Sequence, residues 1–167
     1  MTRVLRLALG MALVAALPGC GLRPLYAGGA DGAVAQGLAA IDVSAIEGQE
    51  GWLVRNALID RLGQAGGQTS PRYRLDVLLD DQLEGLGLLT DDTIGRERRT
   101  LRARYQLVDI ASGEILVDAT AGSDAGIDVV SSEFATIAAE QTALENLAQQ
   151  VADRIVTRLS LTLREHP

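Results

Sequence analysis

Cys20 is the only cysteine and His166 the only histidine, so the side chains that most often carry nucleophilic or metal chemistry occur once each. A Cys/His or Ser/His/Asp constellation needs a histidine held by the fold. His166 stands at position 166 of 167, where chains are commonly loosely held, and a histidine-based metal site fails for the same reason. Carboxylate pairs remain, at Asp80-Asp81 and Asp91-Asp92. A carboxylate-only hydrolase needs two such groups to converge on one bond. Neighbours on a strand point to opposite faces, so Asp80 and Asp81 diverge, and Asp91-Asp92 read as solvated turn residues. Gly85-Leu86-Gly87 is followed by neither the lysine nor the helix that a phosphate loop requires. The residue inventory therefore predicts no enzyme and no cofactor, with a carboxylate-dependent envelope hydrolase as the alternative to test.

Arginine is the remaining functional residue type, and all 15 basic residues are arginines. A GC-rich genome would produce this composition. So would selection for the planar fork that matches phosphate and carboxylate bidentately. Arg72 and Arg74 share one face of their segment, and Arg96, Arg98, Arg102 and Arg104 share one face of theirs. If the two segments pair as a hairpin centred near Leu88, Arg72 falls opposite Arg104, Arg74 opposite Arg102 and Asp80 opposite Arg96. Like charges directly opposite destabilise a sheet, unless solvent or a bound anion sits between them. Arg72, Arg74, Arg102 and Arg104 are thus candidate anion-binding residues. The competing reading is an ordinary exposed face neutralised by Asp76, Asp80 and water.

The elements that position these arginines follow from hydrophobic periodicity. Leu38 to Ile46 alternates as a half-buried strand. Trp52 to Gln64 carries Leu53, Val54, Ala57, Leu58 and Leu62 at helical spacing, and Gly66-Gly67 is the expected stop. Pro71 opens a strand with Tyr73, Leu75, Val77 and Leu79 on one face and Arg72, Arg74, Asp76 and Asp80 on the other. Glu84 to Gly95 is expected to be a long hairpin loop. A third strand, Arg96 to Ile110, turns Leu101, Ala103, Tyr105 and Leu107 one way and Arg96, Arg98, Arg102, Arg104 and Gln106 the other. After the Ala111-Ser112-Gly113 turn comes a strand with Ile115, Val117 and Ala119 inward, then a loop over Gly122 to Gly126. Ser131-Ser132-Glu133 starts a helix, whose apolar stripe runs from Phe134 to Leu159 with Arg154, Arg158 and Arg164 towards its end. The predicted fold class is α+β: a four-stranded mixed, mostly antiparallel sheet with two helices packed on one face, in the order β-α-β-β-β-α.

The start of the sequence has the layout of an export signal. Arg3 and Arg6 precede an apolar run from Leu7 to Leu17, too short for the ~20 residues that span a bilayer and suited to a cleaved leader. Leu17-Pro18-Gly19-Cys20 resembles the bacterial lipobox, which implies a covalent N-acyl and S-diacylglycerol lipid at Cys20 and no disulfide role for it. Two acyl chains already anchor a protein stably, at ~0.8 kcal/mol per buried methylene. Gly21 follows, without the aspartate that resembles an inner-membrane retention signal, which favours the outer membrane. The expected organisation is a signal peptide over 1–19, a lipid-anchored flexible tether over 20–37 rich in Gly and Ala, and one domain over 38–167. Without Arg3 and Arg6 the chain has 13 arginines against 22 acidic residues, a poor composition for nucleic-acid binding.

Cys20-Gly21-Leu22-Arg23-Pro24-Leu25-Tyr26 resembles the mature start of the LptE lipopolysaccharide-assembly lipoprotein family in its alphaproteobacterial form. The β-α-β-β-β-α order over Leu38 to Leu163 is similar to that family's fold. The resemblance implies a protein lipid-anchored at the periplasmic face of the outer membrane. It would act as plug and assembly partner of the LptD β-barrel and bind lipopolysaccharide on its way to the outer leaflet. It also implies basic contact residues for lipopolysaccharide, carried over here onto Arg102 and Arg104 with Arg72 and Arg74 beside them. An auxiliary lipoprotein of an ABC-type lipid-transport system is the alternative reading.

Overall fold

The computed structural model describes residues 32–63, 70–88 and 94–165, without the side chains of Gly87, Leu88 and Ile94. Helix α1 (Ala33–Ala39) leads into strand β1 (Ile41–Val43), then helix α2 (Gly48–Leu62). Strands β2 (Tyr73–Leu88), β3 (Ile94–Asp109) and β4 (Ile115–Asp128) follow, and helix α3 (Glu133–Glu165) ends the domain. The sheet order is β1-β2-β3-β4. The β1/β2 pair is parallel, with α2 as its crossover, and the other two pairs are antiparallel.

The helices lie on one face of the sheet, as the single apolar stripe of each demands. Leu75, Leu101, Leu107, Val54, Leu58, Leu144, Leu147, Ile155 and Leu159 are almost wholly buried between the two layers. Lengths match: 33 helical residues span about 50 Å, and so do the 16-residue strands β2 and β3. Residue 63 ends α2 three residues before the expected stop, because Gly63 adopts φ 76° and donates its N–H to the Ile59 carbonyl.

Four sequence expectations change. The tether expected through Gly37 is helical from Ala33, and the strand expected over 38–46 shortens to Ile41–Val43. A Cβ on Gly37 would lie 3.2 Å from Leu163 Cδ1, so this small residue lets α1 sit against the end of α3. The loop expected over 84–95 is largely strand, with 89–93 outside the described residues. The loop expected over 122–126 is the middle of β4, paired along its length with β3.

Gly51 is buried in the first turn of α2, and a Cβ there would stand 2.6 Å from the Ile46 carbonyl oxygen. Backbone cannot swing aside as a side-chain tip can. Overpacking of this kind costs about 1–3 kcal/mol, and a contact this close to backbone sets it above the roughly 1 kcal/mol that alanine normally gains over glycine in a helix, so Gly51→Ala is expected to be net destabilising. Urea unfolding of the two proteins measures the difference, and equal midpoints would refute it.

Candidate functional site

The sheet face opposite the helices carries the arginines, because β3 places a long charged side chain at alternate positions and fills the others with Leu101, Ala103, Tyr105 and Leu107. Arg96, Arg98, Arg102 and Arg104 project from this central strand, with Thr100 midway. The neighbouring strands supply their surroundings. Asp80 and Gly122 flank Arg102, Leu78 and Thr120 flank Arg104, Glu84 and Gly126 flank Arg98, and Leu86 and Asp128 flank Arg96. The face is an arginine ridge between two broken rows of acids.

The register corrects the expected pairing. Val108, rather than Arg102, lies opposite Arg74, a slide of six residues, and Leu78 rather than Arg72 lies opposite Arg104. Arg74 therefore stands four register positions from Arg104, about 13 Å along the strand. The like-charge pairs expected at Arg72/Arg104 and Arg74/Arg102 do not form. Arg72 instead pairs with Asp109 at 3.7 Å and lies over the Tyr73 ring at 5.0 Å. Arg74 donates to Asp76 at 3.0 Å. The structure brings Arg102 and Arg104 together with Arg96 and Arg98, and sets Arg72 and Arg74 apart at the other end of the sheet.

Within the ridge the arginines differ in freedom. Arg104 donates to Asp118 through Nε at 3.3 Å and Nη2 at 3.1 Å, while Gln106 holds the same carboxylate at 2.9 Å. Those contacts keep the Asp118 carboxyl below its ordinary value of 3.8 and raise Arg104, each group favouring the charged form of the other. Arg96 pairs with Asp128 at 3.2 Å. Arg102 and Arg98 have no ion pair among the described residues. Gly122 explains part of this: a Cβ there would meet Arg102 Cγ at 3.2 Å. With no side chain in the way, Arg102 lies open in a shallow hollow lined by Thr100, Thr120 and Asp124. Leu78, 76% exposed, adds an apolar spot opposite Arg104.

The carboxylate pair Asp80-Asp81 diverges as expected: Asp80 is exposed on the arginine face, and Asp81 is bound by Arg99 on the helix side. Among the described residues no group of acidic, histidine or cysteine side chains could hold a metal. Cys20, His166 and Asp91-Asp92 lie outside the described residues. Sequence reasoning missed the distinction between occupied Arg104 and open Arg102, for which the glycine at 122 was the available signal.

Among the described residues four carboxyls are held below the ordinary carboxylate value. Arg104 and Gln106 do so at Asp118, Ser44 and then Arg74 at Asp76, the Ser112 and Ala111 N–H groups at Asp109, and Arg61 at Asp153. A folded value below the unfolded one gives stability that is present above about pH 4 and lost as pH falls through the folded values. Melting temperature should therefore be level from about pH 7 to about pH 5 and fall below about pH 4. A rise on acidification would contradict these assignments.

The family model for LptE, lipopolysaccharide assembly, matches residues 38–159. No curated protein matches the chain. Among solved structures, a protein of Caulobacter crescentus provisionally assigned as a lipoprotein is 26% identical with a TM-score of 0.68, over 81% of this chain and 98% of that one. A minor lipoprotein of Acinetobacter baumannii has a TM-score of 0.56 at 16% identity, over 72% of this chain and 88% of that one. Rare lipoprotein B of Shewanella oneidensis has a TM-score of 0.52 at 13% identity, over 75% and 95% of the two chains. These last two share the fold. With the family model covering most of the domain, from Leu38 at the end of α1 to Leu159 in α3, the chain belongs to the LptE lipopolysaccharide-assembly family.

Proposed function

We propose that this protein is held at the periplasmic face of the outer membrane by acyl chains on Cys20, after loss of residues 1–19. There it acts as plug and assembly partner of an LptD-type β-barrel and receives lipopolysaccharide on its arginine ridge. The observation that carries the reading is the row Arg96, Arg98, Arg102 and Arg104 on the exposed central strand of an LptE-family fold. Phosphate groups suit such a row, since guanidinium forks bind them through two parallel hydrogen bonds. Exposed Leu78 beside Arg104 gives a lipid acyl chain a place to lie.

A polar outer face also suits the lumen of a large barrel, which is itself polar. No described helix is long and apolar enough to cross a membrane, so attachment in this reading falls to the lipid at Cys20. The role assigns the chain no catalytic group, cofactor or nucleic-acid partner. Purification from native membranes tests it: the expected result is a stoichiometric complex with a large outer-membrane barrel and a triacylated Cys20 by mass spectrometry. Recovery with an inner-membrane transport complex and no barrel would replace this reading with the ABC-type auxiliary role.

A further inference from the structure

Round the outer edge of β4 from the arginine ridge, a hollow of about 420 Å³ lies between that strand and α3. This is room enough for a small molecule, and small residues make it. Ala119 and Ala121 stand on the helix side of β4, and Gly122 follows without a side chain. Tyr105, opposite Ala119 in register, lines the hollow from β3, and Arg154 and Arg158 line it from α3.

The two arginines are one turn apart on the same flank of α3, and like charges at this spacing weaken a helix. No acidic residue stands three or four places from either, and neither has an ion pair among the described residues. Arg154 Nη1 donates to the Gly122 carbonyl. The chain has 22 acidic residues against 15 basic ones, so carboxylates are plentiful, yet none lines this hollow among the described residues.

The strand edge adds donors. Asp109 of β3 donates to Glu114 on the β4 side, and Ile110 after it donates to Arg72 on the β2 side. Backbone direction alternates in this way along a strand, so the odd-numbered residues of β3 face β4. Their partners Ala119, Ala121 and Ser123 face back, which turns the N–H groups of Thr120 and Gly122 outward at the free edge. Neither N–H has a partner among the described residues. Tyr105 is 2% exposed, and its hydroxyl has no hydrogen bond among the described residues, although buried tyrosine hydroxyls usually have one. Burial holds that hydroxyl's pKa above the ordinary value, opposed by the positive charge of Arg158 nearby.

Two guanidinium groups, two outward amides and a hydroxyl are all hydrogen-bond donors, and the arginines bring two positive charges. A cation is repelled here, and a single carboxylate would answer only one of the two forks. We infer that the hollow is a binding site for a phosphoryl group. A phosphate ester carries close to two negative charges at neutral pH and three strong acceptor oxygens, enough for both forks and the strand amides. Ala119 and Ala121 leave space for the molecule that carries it. The hollow shares Thr120 and Gly122 with the shallow one at Arg102 but takes its charge from α3. It therefore goes beyond the lipopolysaccharide reading of the ridge and stands or fails separately from it.

Full-length lipoprotein in phosphatidylcholine bicelles is titrated with inorganic phosphate and with glycerol 3-phosphate, while amide and arginine Nε resonances are followed by NMR. A third arm adds phosphatidic acid to the bicelles, and sodium chloride at matched ionic strength is the reference. The expected result is a saturable shift of the Thr120 and Gly122 amides and of Arg158 Nε. A response to the soluble phosphates identifies a free phosphate as the ligand, and a response to phosphatidic acid alone identifies a lipid headgroup. Arg154→Gln and Arg158→Gln should each weaken binding about tenfold, Tyr105→Phe should weaken it a few-fold, and Arg102→Gln should leave it unchanged. Arg154 and Arg158 are exposed, so the fold survives, which circular dichroism verifies. No shift beyond the chloride reference in any arm, an undiminished response in Arg158→Gln, or a response lost in Arg102→Gln would each overturn the proposal.

Discussion

Arg99→Met lowers unfolding stability by about 3 kcal/mol, the loss expected when one member of a largely buried ion pair is removed. The melting temperature falls by about 10 °C at the few degrees per kcal/mol typical of a domain this size. Both side chains of the Arg99–Asp81 pair are only 16% exposed. Asp81 accepts from Nε at 3.0 and 3.2 Å and from Nη2 at 2.5 Å, a bidentate grip that pins β3 to β2 under the helix layer. Burial opposes the charge on Arg99, but the Asp81 hydrogen bonds outweigh it and raise the guanidinium above its ordinary value.

With methionine in its place, the Asp81 carboxylate is left under α3 without a cation, and the Glu140 carbonyl loses its donor. The partner substitution separates pair from packing. Asp81→Leu combined with Arg99→Met removes both charges and should recover most of the lost stability, since an ion pair replaced by apolar volume is often neutral. A single Arg99→Met variant melting within about 1 °C of the parent would show that the pair contributes nothing, as is common for exposed pairs.

The same strand shows which parts of the architecture were readable from residues. Alternation along Arg96 to Leu107 put Leu101, Ala103, Tyr105 and Leu107 on the buried face and Arg96, Arg98, Arg102, Arg104 and Gln106 on the other, as the structure has them, because a strand has a period of two and one face must be buried. The hairpin register was six residues out. A slide by an even number keeps each side chain on its face and changes only its cross-strand partner, so hydrophobic pattern could not detect the error. The partner is set by where the chain turns, and Gly85 and Gly87 suggested an earlier turn than the strands take.

Gly122 and Gly126 misled in the same way. Glycine usually punctuates strands, but here Gly122 makes room for Arg102 in an unbroken β4. Helix α1 was hidden because seven residues are too few to be helical by propensity alone. It exists through the docking of Leu38 and Gly37 against α3.

The ridge makes the second large prediction, and its two arginines need not contribute equally. If lipopolysaccharide phosphates bind here, Arg102→Glu with Arg104→Glu should weaken binding of purified lipopolysaccharide about a hundredfold, since charge-assisted hydrogen bonds to phosphate are lost and like charge is introduced. Arg102 alone should account for most of the loss. It has no ion pair to break among the described residues, whereas Arg104 must first leave Asp118. Asp118→Asn should release Arg104 and tighten binding by a few-fold, with little effect on stability because the pair is exposed. Arg72→Glu and Arg74→Glu, about 13 Å or more away along the sheet, should change binding much less. This ordering distinguishes a phosphate site from an acid-neutralised surface. A neutralised surface predicts that Asp118→Asn has no effect on the ligand and that any two arginines are interchangeable. Equal losses at Arg72/Arg74 and Arg102/Arg104 would mean that overall charge, and not the ridge, governs the interaction.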